Sequence, residues 1–214
     1  MATEVEAKFL ADGPAPLEQL MEAGHLGAAT LGPARRFDEI DRYVDTDDGR
    51  LGAAGWALRL RRRGDATRIS LKGPPDAATG GFVHHRPEVE APASDSLDPA
   101  DWPPSDARAL VERVCDGGTL RERFRLVQQR TERGVQLGGS VLGTLSLDAV
   151  SVRHGDHDAG TLYAVELELA PGSEADPERL EALSELGRLL AARSGVEPDA
   201  RTKLQHALAL IRSI

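Results

Sequence analysis

The chain places two carboxylates and an amine at alternate positions near its start, Glu4, Glu6 and Lys8, and a second alternating acidic pair, Glu166 and Glu168, far downstream. Side chains two apart on a strand share a face. Glu4, Glu6 and Lys8 therefore line one side of a strand whose other side carries Val5, Ala7 and Phe9, and Glu166 and Glu168 likewise stand opposite Val165, Leu167 and Leu169. Either pair alone reads as a half-buried strand with one wetted face. If the pairs meet in space, their four carboxylates make the oxygen-rich environment that hard cations such as Mg²⁺ prefer.

Other strand-like segments are basic. Residues 58–63 put Arg59, Arg61 and Arg63 on one face, and residues 69–72, carrying Lys72, follow a Gly64-Asp65 turn, so the two read as a hairpin. A mixed strand carries Arg86, Glu88 and Glu90, a further basic one carries Arg121, Arg123 and Arg125, and Asp148 ends the alternating run 145–148. Guanidinium groups grip phosphate oxygens bidentately. Carboxylates for a cation and guanidiniums for phosphates are the two halves of a polyphosphate–metal site.

These residues, in this order, resemble the signature of the CYTH superfamily, the triphosphate tunnel metalloenzymes. The opening Glu-x-Glu-x-Lys corresponds to Glu4, Glu6 and Lys8, the Tyr-x-Asp-Thr segment to Tyr43–Thr46, and the Arg-x-Arg strand to Arg59 and Arg61. Lys72, then Arg86 with Glu88, then Arg123 with Arg125, then Asp148, Glu166 and Glu168, and lastly Lys203 continue the series. A lone Glu-x-Glu-x-Lys is a weak signal; the ordered series across nearly the whole chain is specific. The resemblance implies an α+β protein: a closed antiparallel barrel of eight strands forming a triphosphate tunnel, with flanking helices. It implies a single CYTH domain over 1–214, with a linker and helical insertion at 92–118 and C-terminal helices at 176–213.

It also implies roles. Glu4, Glu6, Asp148, Glu166 and Glu168 would hold Mg²⁺ or Mn²⁺, with Glu88 and Glu90 standing behind them. Arg59, Arg61, Lys72, Arg86, Arg123 and Arg125 would bind phosphate, and Lys8, Tyr43 and Lys203 would serve catalysis, Lys8 and Tyr43 acting together near the nucleophile. The expected activity is metal-dependent hydrolysis of the terminal phosphate of tripolyphosphate, with residues 81–88 and 166–169 resembling bacterial inorganic triphosphatases. The alternatives are a thiamine triphosphatase, a class IV-type adenylate cyclase, or a non-catalytic polyphosphate- or nucleotide-binding module. The complete carboxylate set favours catalysis over binding alone. An aromatic content of 4% leaves few stacking platforms for adenine or thiamine. Some relatives carry an appended helical CHAD domain, which makes such a domain in a longer polypeptide a possible partner.

Composition fits a compact domain: 214 residues, 40% hydrophobic and 29% charged. A net charge of −9 argues against a nucleic-acid surface but not against a small anion. With Cys115 the single cysteine, no internal disulfide forms, and a reducing compartment is expected. No apolar stretch approaches a membrane span and the N-terminus lacks the regions of a signal peptide, so a cytoplasmic protein is expected.

The remaining pattern supplies the scaffold. Helices are expected at 14–23, after Asp47 and Asp48 as caps, at 105–114, from Asp176-Pro177-Glu178 onward, and after Thr202. Strands are expected near 3–10, 36–45, 56–74 as the hairpin, 120–131, 133–138, 142–153 and 161–170. In a closed barrel the apolar faces pack outward on helices, the charged faces line a lumen, and no sheet edge is exposed. His84 and His85 point to opposite faces and cannot clamp a metal together. His154 and His157 read as a surface turn. Trp56 and Trp102 read as packing residues, Cys115 as an inert helix residue, and no phosphate-binding Gly-x-x-x-x-Gly-Lys loop occurs.

Overall fold

A computed structural model describes residues 2–74 and 83–214. Residues 75–82, including the start of the 81–88 segment that resembles bacterial inorganic triphosphatases, lie outside them. Eleven strands form one antiparallel sheet: β1 (Ala2–Ala11), β2 (His25–Leu26), β3 (Ala29–Leu31), β4 (Arg35–Thr46), β5 (Ala57–Arg63), β6 (Ala66–Lys72), β7 (Val83–Ala93), β8 (Leu120–Leu137), β9 (Ser140–His154), β10 (His157–Leu169) and β11 (Val196–Pro198). Eight of them close a barrel in the order β8-β4-β5-β6-β7-β1-β10-β9, with β9 returning to β8. The short β2 and β3 extend the sheet from β8, and β11 pairs with β1. Closure removes the edge problem that eight long strands would otherwise pose.

Among the described residues five α-helices accompany this frame: α1 (Pro14–Glu22), α2 (Arg50–Ala53), α3 (Asp106–Cys115), α4 (Pro177–Ala191) and α5 (Lys203–Ile211). The alternation in β1 and β10 works as the sequence predicts. Val5, Ala7, Phe9, Val165 and Leu167 point outward into one core with Leu17 and Leu20 of α1 and Leu183, Leu186 and Leu190 of α4. A second core joins Leu58, Leu60, Ile69 and Leu71 of the arginine hairpin to Val111 and Cys115 of α3 and to Trp102. Trp102 is 2% exposed and donates its indole N–H to the Ser96 carbonyl, so the expected linker is a packed connection.

Some local expectations change. Residues 120–137 are one continuous strand rather than two. The first turn of α2 is capped by Thr46 and Asp45, not by Asp47 and Asp48: Thr46 Oγ1 accepts from the Arg50 N–H, and the Asp45 carboxylate accepts from Leu51 and Gly52. α4 begins at its predicted Asp176 cap, and α5 begins with a capping box between Thr202 and Gln205. His154 and His157 are exposed at the β9–β10 turn, and burial raises the Cys115 thiol to about 11, keeping it protonated.

A third apolar cluster departs from the simple rule. Tyr43, Phe124, Leu126, Val150 and Val152 share the inward faces of β4, β8 and β9, and α5 packs Leu204, Ala207, Leu208 and Ile211 against them. An apolar plug thus fills one part of the barrel interior. The outer face of β8 is bare there, with Val127 41% exposed.

Candidate functional site

The rest of the interior is a charged cavity of about 240 Å³. Among the described residues, seven carboxylates line it, Glu4, Glu6, Glu88, Glu90, Glu132, Glu166 and Glu168, against eight cations, Lys8, Arg59, Arg61, Arg63, Lys72, Arg86, Arg130 and Lys203. Drug-type pockets are mostly apolar; this lumen is the opposite. Its one aromatic ring, Tyr43, already stacks on Phe124 at 4.8 Å between centroids.

The acidic wall comes from strand register. β1 pairs with β10 so that Glu6 lies opposite Glu168 and Lys8 opposite Glu166. β9 approaches β10 closely at Gly143, where a Cβ would sit 1.9 Å from the Glu168 carbonyl oxygen, so only glycine permits this packing. Burial and the neighbouring Glu4 push Glu6 up to about 8, and the same causes push Glu168 up to about 7. Glu4 is held by the Lys72 ammonium at 2.5 and 2.6 Å. Burial alone would lower Lys72, but Glu4 and Glu6 outweigh it and its pKa rises.

The basic wall is built on hidden carboxylates. Asp41 and Glu39 of β4 are 0% and 1% exposed. Asp41 accepts both the Nε and Nη2 of Arg61 at 2.7 Å and the Nη1 of Arg59 at 3.3 Å. Glu39 holds Arg63 and accepts from Gln128 Nε2 at 2.6 Å, while Arg63 also reaches Glu132 at 2.5 Å. Burial opposes ionisation of Asp41, but Arg59 and Arg61 overcome it and hold its carboxyl well below the usual range. Arg59 Nε is buried without a hydrogen-bond partner among the described residues. Arg86 spends its Nε and Nη2 on the Gly73 carbonyl at 3.0 and 2.8 Å.

Most expected residues meet here: Glu4, Glu6, Lys8, Tyr43, Arg59, Arg61, Lys72, Arg86, Glu88, Glu90, Glu166, Glu168 and Lys203 all line the lumen. Lys8 donates to the Arg201 carbonyl at 3.2 Å and lies 3.9 Å from Glu6; no hydrogen bond joins it to Tyr43 among the described residues. Three expectations need correction. Arg123 and Arg125 are exposed on the outside of β8, where Arg125 pairs with Glu122 at 2.7 Å. Arg130, further along the inward face of the same strand, is the basic group that β8 contributes. Asp148 is fully buried behind the lumen and takes Arg130 at 2.8 and 2.7 Å and Lys203 at 2.6 Å, so it anchors cations rather than facing a metal. Glu166 shares both partners, and Lys203 and Arg130 outweigh burial to keep it ionised.

The site roles expected from the sequence leave out Arg63, although it shares the face of Arg59 and Arg61, as well as Glu39, Asp41 and Glu132. Arg63 was legible, since it continues the alternation of Arg59 and Arg61. Arg130 follows from continuing the parity of Phe124, Leu126 and Gln128.

A divalent cation is what the family resemblance calls for, and the donor set fits one. With the buried Asp41, Glu39 and Asp148 added, ten carboxylates surround eight cations. Glu6 and Glu168, which burial and Glu4 push up to about 8 and about 7, are the carboxyls that a hard cation beside the oxygens of Glu4, Glu6 and Glu168 would relieve. Among the described residues no metal-ligand cluster is already assembled, and Glu4 closes on Lys72 instead.

The fold has solved counterparts along its full length. The HpAC1 protein of Hippeastrum, described as a candidate adenylyl cyclase with a dominant triphosphatase activity, aligns at TM-score 0.65 and 22% identity over 96% of this chain and 95% of that one. The PH1819 protein of Pyrococcus horikoshii OT3 aligns at 0.58 and 21%, over 96% and 98%. A candidate adenylate cyclase of Bacillus halodurans aligns at 0.57 and 16%, over 96% and 98%. At these identities the likeness concerns the fold. No curated protein matches the sequence. No helix among the described residues is long and apolar enough to cross a membrane. The sequence profile of the CYTH domain matches residues 2–196. The chain is a member of the CYTH domain family.

Proposed function

We propose that this protein is a divalent-metal-dependent triphosphatase that hydrolyses tripolyphosphate inside the barrel. The observation that carries the reading is the two-walled lumen: pre-anchored guanidiniums face buried carboxylates, of which Glu6 and Glu168 are raised by burial and by Glu4. A chain of phosphates complements the first wall and a hard cation the second.

In this reading Arg59, Arg61, Arg63 and Arg130 bind the phosphate oxygens, and Arg59 offers the Nε that now lacks a partner. Asp41, Glu39 and Asp148 fix these side chains before substrate arrives, so little reorganisation accompanies reaction. Glu4, Glu6 and Glu168 would hold the cation, Lys72 giving up Glu4 to do so. A bound divalent cation supplies Lewis-acid stabilisation of charge on the phosphoryl oxygens. Lys203 adds a positive charge from α5, and Lys8, with the Tyr43 hydroxyl on the same lumen, holds the proton that must leave the attacking water. Phosphoryl transfer demands little beyond such positioning and charge neutralisation.

Tripolyphosphate is favoured over organic triphosphates because the lumen's aromatic ring is already stacked. The test is a panel of tripolyphosphate, ATP, thiamine triphosphate and long polyphosphate with Mg²⁺ or Mn²⁺. One pyrophosphate and one phosphate per tripolyphosphate, dependent on the cation, is the expected outcome. Cyclic AMP from ATP, or tight binding with no turnover on any substrate, would overturn it.

A further inference from the structure

Lys203 reaches the lumen from an unfavourable place. It is the first residue of α5, and a cation at a helix N-terminus faces the positive end of the helix dipole. Something must hold the helix so that this ammonium meets Asp148 at 2.6 Å and Glu166 at 2.8 Å. The apolar plug fixes the helix face but offers little control over sliding along it, because apolar contact is non-directional.

Direction comes from the strap that joins β11 to α5, and within it from Asp199. All its polar groups are engaged. Its N–H donates to the Lys8 carbonyl at 2.9 Å, tying the strap to β1. Its carbonyl lies 3.0 Å from His84 Nε2 on β7. Its carboxylate accepts the Arg201 N–H at 2.9 Å, closing an Asx-type turn, and contacts His206 Nε2 at 2.8 Å, one turn into α5. The turn also aims the Arg201 carbonyl at Lys8 Nζ, 3.2 Å away. One residue therefore registers α5 against two barrel strands: its backbone holds β1 and β7, and its carboxylate holds the Arg201 turn and His206 of α5.

We propose that Asp199 is a positioning residue that sets the lumen placement of Lys203. The inference rests on the triphosphatase reading for its kinetic consequence but not for its structural one. The kinetic test is a double-mutant cycle between Asp199→Ala and Lys203→Ala. Asp199→Ala is expected to lower kcat/KM for tripolyphosphate by tenfold or more in the wild-type background and by less than twofold once Lys203 is alanine. Asp199→Asn, which retains the turn, should restore activity to within a few-fold. Equal losses in both backgrounds would mean general loosening and would overturn the proposal. Should Asp199→Ala not fold, His206→Ala, which cuts one of the tethers, enters the same cycle with the same criteria.

A second arm is independent of activity. The Lys203 ammonium resonance of the ¹⁵N-labelled protein, assigned by its loss in Lys203→Ala, should be slowly exchanging in the wild type and lost or shifted in Asp199→Ala. An unchanged resonance would overturn the positioning role. A wild-type protein that turns over no triphosphate would overturn the function, and the ammonium comparison would still decide the role of Asp199.

Discussion

The two walls of the lumen hold charge in different ways. On the basic wall each guanidinium is matched in advance: Arg61 sits in a bidentate pair with Asp41, and Arg63 lies between Glu39 and Glu132. On the acidic wall Glu6 and Glu168 face each other across β1 and β10 with Glu4 beside them, and burial and repulsion lift two of the three. The basic wall is paired with carboxylates on folding. On the acidic wall burial and like charge raise Glu6 and Glu168, because a buried charge without a partner is costly. In the proposed reading a hard cation supplies the missing charge.

The largest expected effect comes from removing the acidic wall's charge. Glu4→Gln or Glu168→Gln should lower turnover roughly 100-fold or more, since a cation supplies several kcal/mol of transition-state stabilisation. Each should weaken Mg²⁺ binding, measured by calorimetry, far more than it lowers the melting temperature. Near-normal activity at limiting Mg²⁺ would erase the distinction between the walls.

On the basic wall, Arg59→Ala removes a charged hydrogen-bond donor, a change worth about 1.5–3 kcal/mol, or roughly 10–150-fold in kcat/KM. Arg125→Ala, on the outside of β8, should change kcat/KM by less than about twofold, as surface substitutions usually do little. Steady-state kinetics on both variants sharpens the boundary of the wall. A large loss at Arg125 would put that arginine back in the lumen.

Tyr43→Phe should reduce kcat about tenfold at unchanged metal affinity and flatten the alkaline limb of the pH–rate profile, given the 10²–10⁴ range of acid–base contributions and the shared role of Lys8. Wild-type turnover across pH 6 to 10 would reduce Tyr43 to its stacking partnership with Phe124.

The smallest effect is thermodynamic. Burial and the neighbouring Glu4 push Glu6 and Glu168 up to about 8 and about 7 in the folded protein, above the ordinary value of 4.5. Their contribution to stability is therefore full below the unfolded pKa and lost as pH rises through the folded values. Asp41, Asp148 and Glu166 are shifted downward and act oppositely, contributing above the unfolded carboxyl range and losing that contribution on acidification. Without divalent cations the melting temperature should fall by a few degrees between about pH 5 and 8.5. Saturating Mg²⁺ should remove that slope. Its binding near pH 7 should release roughly one to two protons, read by calorimetry in buffers of different ionisation enthalpy. Binding without proton release would show that the two walls are charged alike before the cation arrives.

Much of this was legible in the chain. Period-2 alternation around Glu4, Glu6 and Lys8 and around Glu166 and Glu168 determined which side chains go inward, because helices α1 and α4 cover the apolar faces of those strands. The same logic misplaced Arg123 and Arg125. It assumes that charge points to the lumen, but α5 fills that part of the interior with Leu204, Ala207 and Leu208, so Phe124 and Leu126 turn inward and the arginines turn out to water. No local pattern reports which end of a barrel a distant helix will enter. Register was equally a tertiary matter. The sequence supplied Asp148 as a candidate ligand, but only the pairing of Arg130 with Asp148 across β8 and β9, together with Lys203 arriving from α5, consumed its oxygens. Sequence alternation thus determined the chemistry of the faces, whereas long-range pairing decided which carboxylates were matched by arginine or lysine and which were raised by burial.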